Sequence, residues 1–398
     1  MFKEIKSMNQ KKYSDYKCVF NHIRNHKSIS KSELEQLTGL KLTTLNRTVV
    51  SLLKEGMICV VESGESSGGR RPLLYSVNPE AGYIVGVDIS RTYTRAVLTD
   101  LNCQVVKSVS FGIFMDSTPE NVLQKISDIV SDFSRDIAKE KILGIGVGIV
   151  GPLDRKKGVL LNPENFPAEG WENLSLKEML EEKTNLKVVV ESGVNAAVAG
   201  EYRNGYGKGF DSMAYIIAGI GLRLGMLVSG KTCDIDSEGF GHIAVDIGGA
   251  SCSCGSKGCL EAYVSIPAIL KRFVEGIKMG RSSTVAARLE YDTAEINFDS
   301  FCKAVEENDE LAVEIVRDAA HYFAAGITNV VKIANPQLII LGGPLIRKCD
   351  LFYRLSTEIA LQDRCKYSSK KTKFSKGMLE ENAIATGAVN LVLDYYQA

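Results

Sequence analysis

Between Gly241 and Glu261 the chain reads GHIAVDIGGASCSCGSKGCLE, which places His242, Cys252, Cys254 and Cys259 within eighteen residues, among glycines that let a loop fold tightly. One imidazole and three thiolates suit tetrahedral Zn²⁺, and a four-ligand set with no open position is of the structural kind, holding a loop rather than doing chemistry. Two other readings of these residues are ordinary buried thiols and a redox disulfide; three cysteines in eight residues beside a Gly-His pair argue against the first. The other cysteines, Cys18, Cys59, Cys103, Cys233, Cys302, Cys349 and Cys365, are scattered singly with no signal peptide ahead of them, so the chain reads as a reduced cytoplasmic protein.

A second group with chemistry in it is Thr43, Thr44, Asn46 and Arg47. Short polar side chains plus an arginine near the start of a helix are what is needed to reach base edges and phosphates in a major groove. The elements around them fit. Ser30-Lys31-Ser32-Glu33 is a capping box that starts a helix running to about Thr38. Gly39 supplies a turn, and Lys41 to Glu55 then sets Leu42, Leu45, Val49, Leu52 and Leu53 at helical spacing on one side, with Gly56 as a stop. Two β-prone runs follow, Ile58 to Val61 and Leu73 to Val77, joined by a loop that ends in Arg70-Arg71-Pro72. Between Lys12 and Asn78 the pattern is thus three short helices followed by such a hairpin, a winged helix-turn-helix in which Arg70 and Arg71 are placed to enter a minor groove or hold phosphates. A merely solvated helix face is the rival reading.

Composition supports a head distinct from a body. The 398 residues carry 48 Lys and Arg against 48 Asp and Glu, but residues 1 to 79 hold thirteen basic and seven acidic side chains. A net charge of +6 there leaves −6 for the rest, the asymmetry of a nucleic-acid-binding module on a soluble domain. The length suggests two or three domains. No apolar run approaches the roughly 20 residues that cross a bilayer, so membrane partners are excluded.

From Tyr83 the chain alternates strands and helices. Ile84 to Ile89 and Arg95 to Asp100 form a hairpin; Lys141 to Val150, Lys187 to Glu191 and Ala214 to Ala218 are buried strands; Val122 to Lys139 and Leu176 to Glu182 are helical. A helix-rich stretch from Ile266 to Asn335 precedes a strand at Gln337 to Leu341. The fold class is α/β, in two halves with a cleft between them where a ligand would sit. The expected boundaries are 1–80 for the winged head, 81–200 for the first lobe and 201–398 for the second lobe with its zinc loop, the C-terminal helix being a candidate to return to the first lobe.

These motifs together resemble the ROK family, which groups repressors, open reading frames and sugar kinases. The resemblance rests on the winged head with GGRRP, the Asp88-Ile89 strand, GxGxxGP at Gly146 to Pro152, GH-x9-CxCGxxGCLE and NPxxIILGG at Asn335 to Gly343, and covers about residues 12 to 395. It implies a two-lobed actin-like, hexokinase-like ATPase fold, a sugar pocket, a structural zinc, and homodimers or homotetramers. Asn165, His242 and Glu261 match family positions that line the sugar pocket, the histidine binding zinc through one ring nitrogen and facing the sugar with the other.

The chain departs from the family's kinases where phosphoryl transfer would occur. Their Asp-Ile-Gly-Gly-Thr is here Asp88-Ile89-Ser90-Arg91-Thr92, and their glycine-rich second phosphate loop is Gly219-Ile220-Gly221-Leu222-Arg223-Leu224-Gly225. Side chains now stand where amides must approach phosphates closely. The catalytic Asn-Asp aligns with Ser192-Gly193, which has no carboxylate to act as general base; Glu191, two residues upstream on a strand, is a poor substitute. The pocket carboxylate before Gly241 is also absent, with Glu238 one place from it. The chain therefore reads as a ROK-family DNA-binding transcriptional regulator and not an enzyme, a repressor of carbohydrate-utilisation genes that binds a double-stranded operator and senses a sugar. The alternatives are an ATP-dependent sugar kinase that keeps a DNA-binding head, and a thiol redox sensor at the zinc loop.

Overall fold

The computed structural model describes residues 10–26, 28–63, 72–163, 165–288, 292–362 and 372–397. The chain divides into two compact units, one of residues 1–193 together with 385–398 and the other of residues 194–384.

The first unit opens with α1 (Gln10–Asn25), β1 (Ile29–Ser30), α2 (Lys31–Thr38), α3 (Leu42–Lys54), β2 (Ile58–Ser63) and β3 (Leu73–Val77). The capping box forms: Ser30 Oγ accepts from the Glu33 amide at 3.3 Å, while Glu33 Oε2 accepts from the Ser30 amide at 2.8 Å. Gly39 closes α2 in the left-handed conformation. In α3, Leu45, Thr48, Val49 and Leu52 are buried. Leu42, expected on that same face, is instead 49% exposed, because a side chain at the first helical position leans back toward the N-terminus, past the edge of the core. The two-residue β1, which local propensity does not reveal, pairs antiparallel with β3, giving a sheet of order β1-β3-β2.

The sheet of the body follows in the same unit: β4 (Tyr83–Ile89), β5 (Tyr93–Asp100), β6 (Val105–Gly112), α4 (Pro119–Phe133), β7 (Ile142–Ile149), the small hairpin β8 (Leu153–Asp154) and β9 (Val159–Leu160), α5 (Leu176–Thr184) and β10 (Val188–Ser192). Its order is β10-β7-β4-β5-β6, with β7 parallel to both β4 and β10. Edge strand β6 has no alternating pattern to announce it, because both its faces are largely exposed. Helix α4 stops at Phe133, short of the expected Lys139, where the chain turns through Ser134.

The second unit runs through α6 (Gly193–Asn204), β11 (Ser212–Ala218), β12 (Leu222–Val228), β13 (Lys231–Thr232), α7 (Glu261–Val264), α8 (Ile266–Lys278), α9 (Thr284–Arg288), α10 (Phe298–Glu306), α11 (Glu310–Ala334), β14 (Leu338–Gly342), α12 (Pro344–Lys348), α13 (Asp350–Gln362) and β15 (Lys373–Ser375). Its sheet has the order β13-β12-β11-β14-β15. Helices α8, α10 and α11 supply most of its core through Phe273, Phe301 and Phe323. Fully buried Glu201 accepts from the amides of Met378, Leu379 and Tyr206, each at 2.8 Å, so both of its carboxyl oxygens are hydrogen-bonded.

The last helix, α14 (Ala383–Gln397), starts in the second unit and continues through the first. In the first unit its Val389, Val392 and Leu393 share one core with Tyr16, Val19, Phe20 and Ile23 of α1 and with Ile84, Leu101 and Leu143 of the body. Tyr13 Oη donates to the Tyr396 carbonyl at 2.5 Å, and Tyr396 Oη donates to that of Leu143 at 2.9 Å. Glycines let α14 lie directly on the sheet: a Cβ on Gly86 would stand 2.1 Å from the Ala385 carbonyl oxygen, and one on Gly146 1.9 Å from that of Ala388. The winged head is thus built into the body rather than tethered beside it.

Candidate functional site

His242, Cys252, Cys254 and Cys259 come together, their ligand atoms all within 4.8 Å of one another. His242 ends a short 3-10 turn, Gly239–His242. The three cysteines sit on a tight loop in which the Cys252 amide donates to Ser256 O at 2.9 Å and the Gly255 amide to Cys252 O at 3.1 Å. Gly258 has a φ of +70°, and a Cβ there would strike the Asp246 carbonyl at 1.7 Å. A brace that the sequence reading missed fixes the loop from behind: Tyr263 Oη donates to Asp246 Oδ2 at 2.9 Å, accepts from the Ala250 amide at 2.7 Å, and its ring stacks on Tyr322. Its signal in sequence is an aromatic one helical turn after Cys259.

The spacing fits zinc. With Zn–S near 2.3 Å and Zn–N near 2.0–2.1 Å, a tetrahedron has edges of about 3.8 Å between two sulfurs and about 3.6 Å between sulfur and nitrogen. Cys254 and Cys259 Sγ are 3.7 Å apart, and Cys252 Sγ is 3.6 Å from His242 Nδ1. Without an ion the thiols differ: the Ser256 amide draws Cys254 down to about 7, while burial pushes Cys259 up to about 12. A bound cation would favour the thiolate form of the buried cysteine, its proton being released to solvent, and would balance the thiolate charge. Nδ1 faces the cluster, which leaves Nε2 pointing away from it.

The positions where a kinase would hold nucleotide and base are internally engaged. Buried Asp88 accepts from Tyr93 Oη at 2.8 Å, and Arg91 is buried. On β12, buried Arg223 pairs through Nε with Glu238 Oε1 at 2.9 Å, so Glu238 is an arginine's partner; a pair split between a strand and a distant loop leaves no local signal. Glu191 Oε1 is held by Arg155 Nε at 2.9 Å and by the Ser192 amide at 2.8 Å. Gly193 opens α6 directly after the strand that carries Glu191. Glu261 Oε2 accepts from the Leu222 amide at 2.8 Å. Asn165 is exposed in the first unit with a φ of +62°, next to the stacked rings of Phe166 and Trp171; His242 and Glu261 belong to the second unit.

In the head, Thr43 and Arg47 are exposed, and Thr44 and Asn46 are half-buried. Helix α3 has no side-chain cap on its first turn, in contrast to α2. Arg70 and Arg71 lie outside the described residues. Among the described residues no helix is long and apolar enough to cross a membrane.

Residues 84–395 match the ROK family. The chain is 27% identical to the xylose repressor of Bacillus subtilis (strain 168), over 98% of this chain and 96% of the relative. It is 30% identical to the glucokinase of Thermotoga maritima, over 68% of this chain and 84% of that one. Among solved structures it is similar to a ROK family transcriptional regulator, a homologue of the E. coli MLC protein, with a TM-score of 0.80, 22% identity and 98% of each chain covered. That likeness shows the fold from the winged head to the last helix.

Proposed function

The chain belongs to the ROK family, and from that premise we propose that it is a transcriptional repressor of carbohydrate-utilisation genes, in which a kinase-like body senses a sugar and controls a winged head. The observation that carries this reading is the core that α1 of the head shares with α14 and the sheet of the body, since a head built into the body can be moved by it. Uncapped amides at the start of α3, with Lys41 beside them, are suited to a phosphate, Thr43, Thr44, Asn46 and Arg47 to base edges, and Arg70 and Arg71 to a minor groove or phosphates. The xylose repressor aligns over nearly the whole chain, head included.

In this reading the protein acts in the cytoplasm as a homodimer or homotetramer, and its two-fold symmetry sets a palindromic operator. His242, Cys252, Cys254 and Cys259 hold a structural zinc, which orients the His242 ring so that Nε2 can meet a sugar hydroxyl. Asn165 and Glu261 are the other effector contacts. The sugar regulates only if it prefers one arrangement of the heads over another. Phosphoryl transfer is not its activity: Gly193 carries no base, and Glu191 is held by Arg155. The likeness to a glucokinase makes an ATP-dependent sugar kinase the second reading.

The test is binding of purified protein to its own upstream DNA by gel shift, with a panel of mono- and disaccharides, each with and without ATP. A shift that one sugar alters without ATP is the expected result; no shift, together with ATP turnover on a sugar, would replace the repressor by the kinase. Arg47→Ala is expected to weaken the operator complex by about 1–3 kcal/mol and to leave the melting temperature unchanged, because Arg47 is exposed on α3.

A further inference from the structure

Resting on the DNA-binding reading, we infer that Leu42 is a base-reading residue of α3 that takes the C5-methyl group of a thymine in each half-site. Leu42 is the first residue of α3 and is 49% exposed on a helix whose apolar core face is complete without it in Leu45, Val49 and Leu52. At 3.6 residues per turn, Leu42 and Asn46 are neighbours on one ridge, and Thr43 and Arg47 form the next. Leu42 therefore stands among the side chains that carry the polar part of the recognition surface, at the end of the helix that a winged head presents to bases. A leucine there cannot hydrogen-bond any base. The apolar feature a major groove offers is the thymine methyl, which is met by apolar contact from a side chain. Asn46, about 6 Å further along the axis, has the amide that pairs bidentately with adenine. The two together favour an A·T-containing step over a G·C one at the centre of the contact. A solvated leucine would be the bland account, but burying its exposed half against a methyl group recovers the apolar area that the fold leaves in water.

The test uses the full chain and an operator recovered by in vitro selection from a random duplex pool. Each thymine of the half-site is replaced in turn by deoxyuridine, which removes only the methyl group. The expected result is one position per half-site at which the change weakens binding by about three- to fivefold, the size of one buried methyl. In Leu42→Ala and in Leu42→Gln, thymine and uridine at that position should bind equally, whereas Leu42→Met should keep the preference. A wild-type protein that binds the selected DNA but shows no methyl-dependent position would overturn the inference, as would a methyl preference that survives in both Leu42→Ala and Leu42→Gln. Failure to recover any DNA would overturn the DNA-binding reading and this inference with it.

Discussion

Gly146→Ala is expected to lower the melting temperature, expose the winged head to protease and abolish operator binding, although Gly146 belongs to the body's sheet and not to the head. The added Cβ would stand 1.9 Å from the Ala388 carbonyl oxygen and 2.4 Å from its carbon. Those are backbone atoms of α14, so no side chain can swing away; the helix itself must lift. Overpacking a core typically costs about 1–3 kcal/mol, and a clash with helix backbone belongs at or above the top of that range. Lifting α14 withdraws Val389, Val392 and Leu393 from the core they share with Tyr16, Val19, Phe20 and Ile23, and disturbs the Tyr13 and Tyr396 hydrogen bonds. Limited proteolysis, a thermal melt and a gel shift on the same preparation would check it. A variant that melts and binds as the parent does would show that α14 does not hold the head.

Cys259→Ser is the second large effect. Cys259 is buried, and its sulfur is one of four ligand atoms gathered within 4.8 Å. Elemental analysis is expected to find close to one zinc per chain in the parent and much less in the variant. The second unit should lose more than about 4 kcal/mol, the stabilisation conferred by a ligand present at a thousand times its dissociation constant. Excess chelator should reproduce the loss in the parent. Cys233→Ser, which alters a half-buried cysteine outside the cluster, should keep its metal. A parent that purifies without zinc and melts unchanged with chelator would remove the ion from the proposed function and leave the loop to Tyr263 and its hydrogen bonds.

What could be read from the sequence was what is local. Ser30 and Glu33 are three residues apart and specify their capping box by themselves. The three cysteines and the histidine lie in one loop, so their spacing already outlined the cluster. Strands β4, β7, β10, β11 and β14 are buried runs with strong propensity. Legibility failed where a partner is far along the chain. Gly86 reads as part of a strand and Gly146 as the start of the GxGxxGP motif, yet both lie in close contact with α14, more than two hundred residues away. Arg223 and Glu238 read as two departures from a motif, and only the fold joins them into one ion pair. Leu42 continues the helical periodicity of α3 perfectly well; what ends is the core beneath it.

The shared core of α1 and α14 also governs the order of events during synthesis. The DNA-binding head is translated first, but part of its core is α14, which follows the whole of the 194–384 unit. Domains that fold as they leave the ribosome normally close from the N-terminal end. Here the core that Val19, Phe20 and Ile23 share with α14 is completed only after some three hundred further residues, 78–382, have been made. A message broken anywhere before Ala385 would therefore yield a head that lacks its final wall.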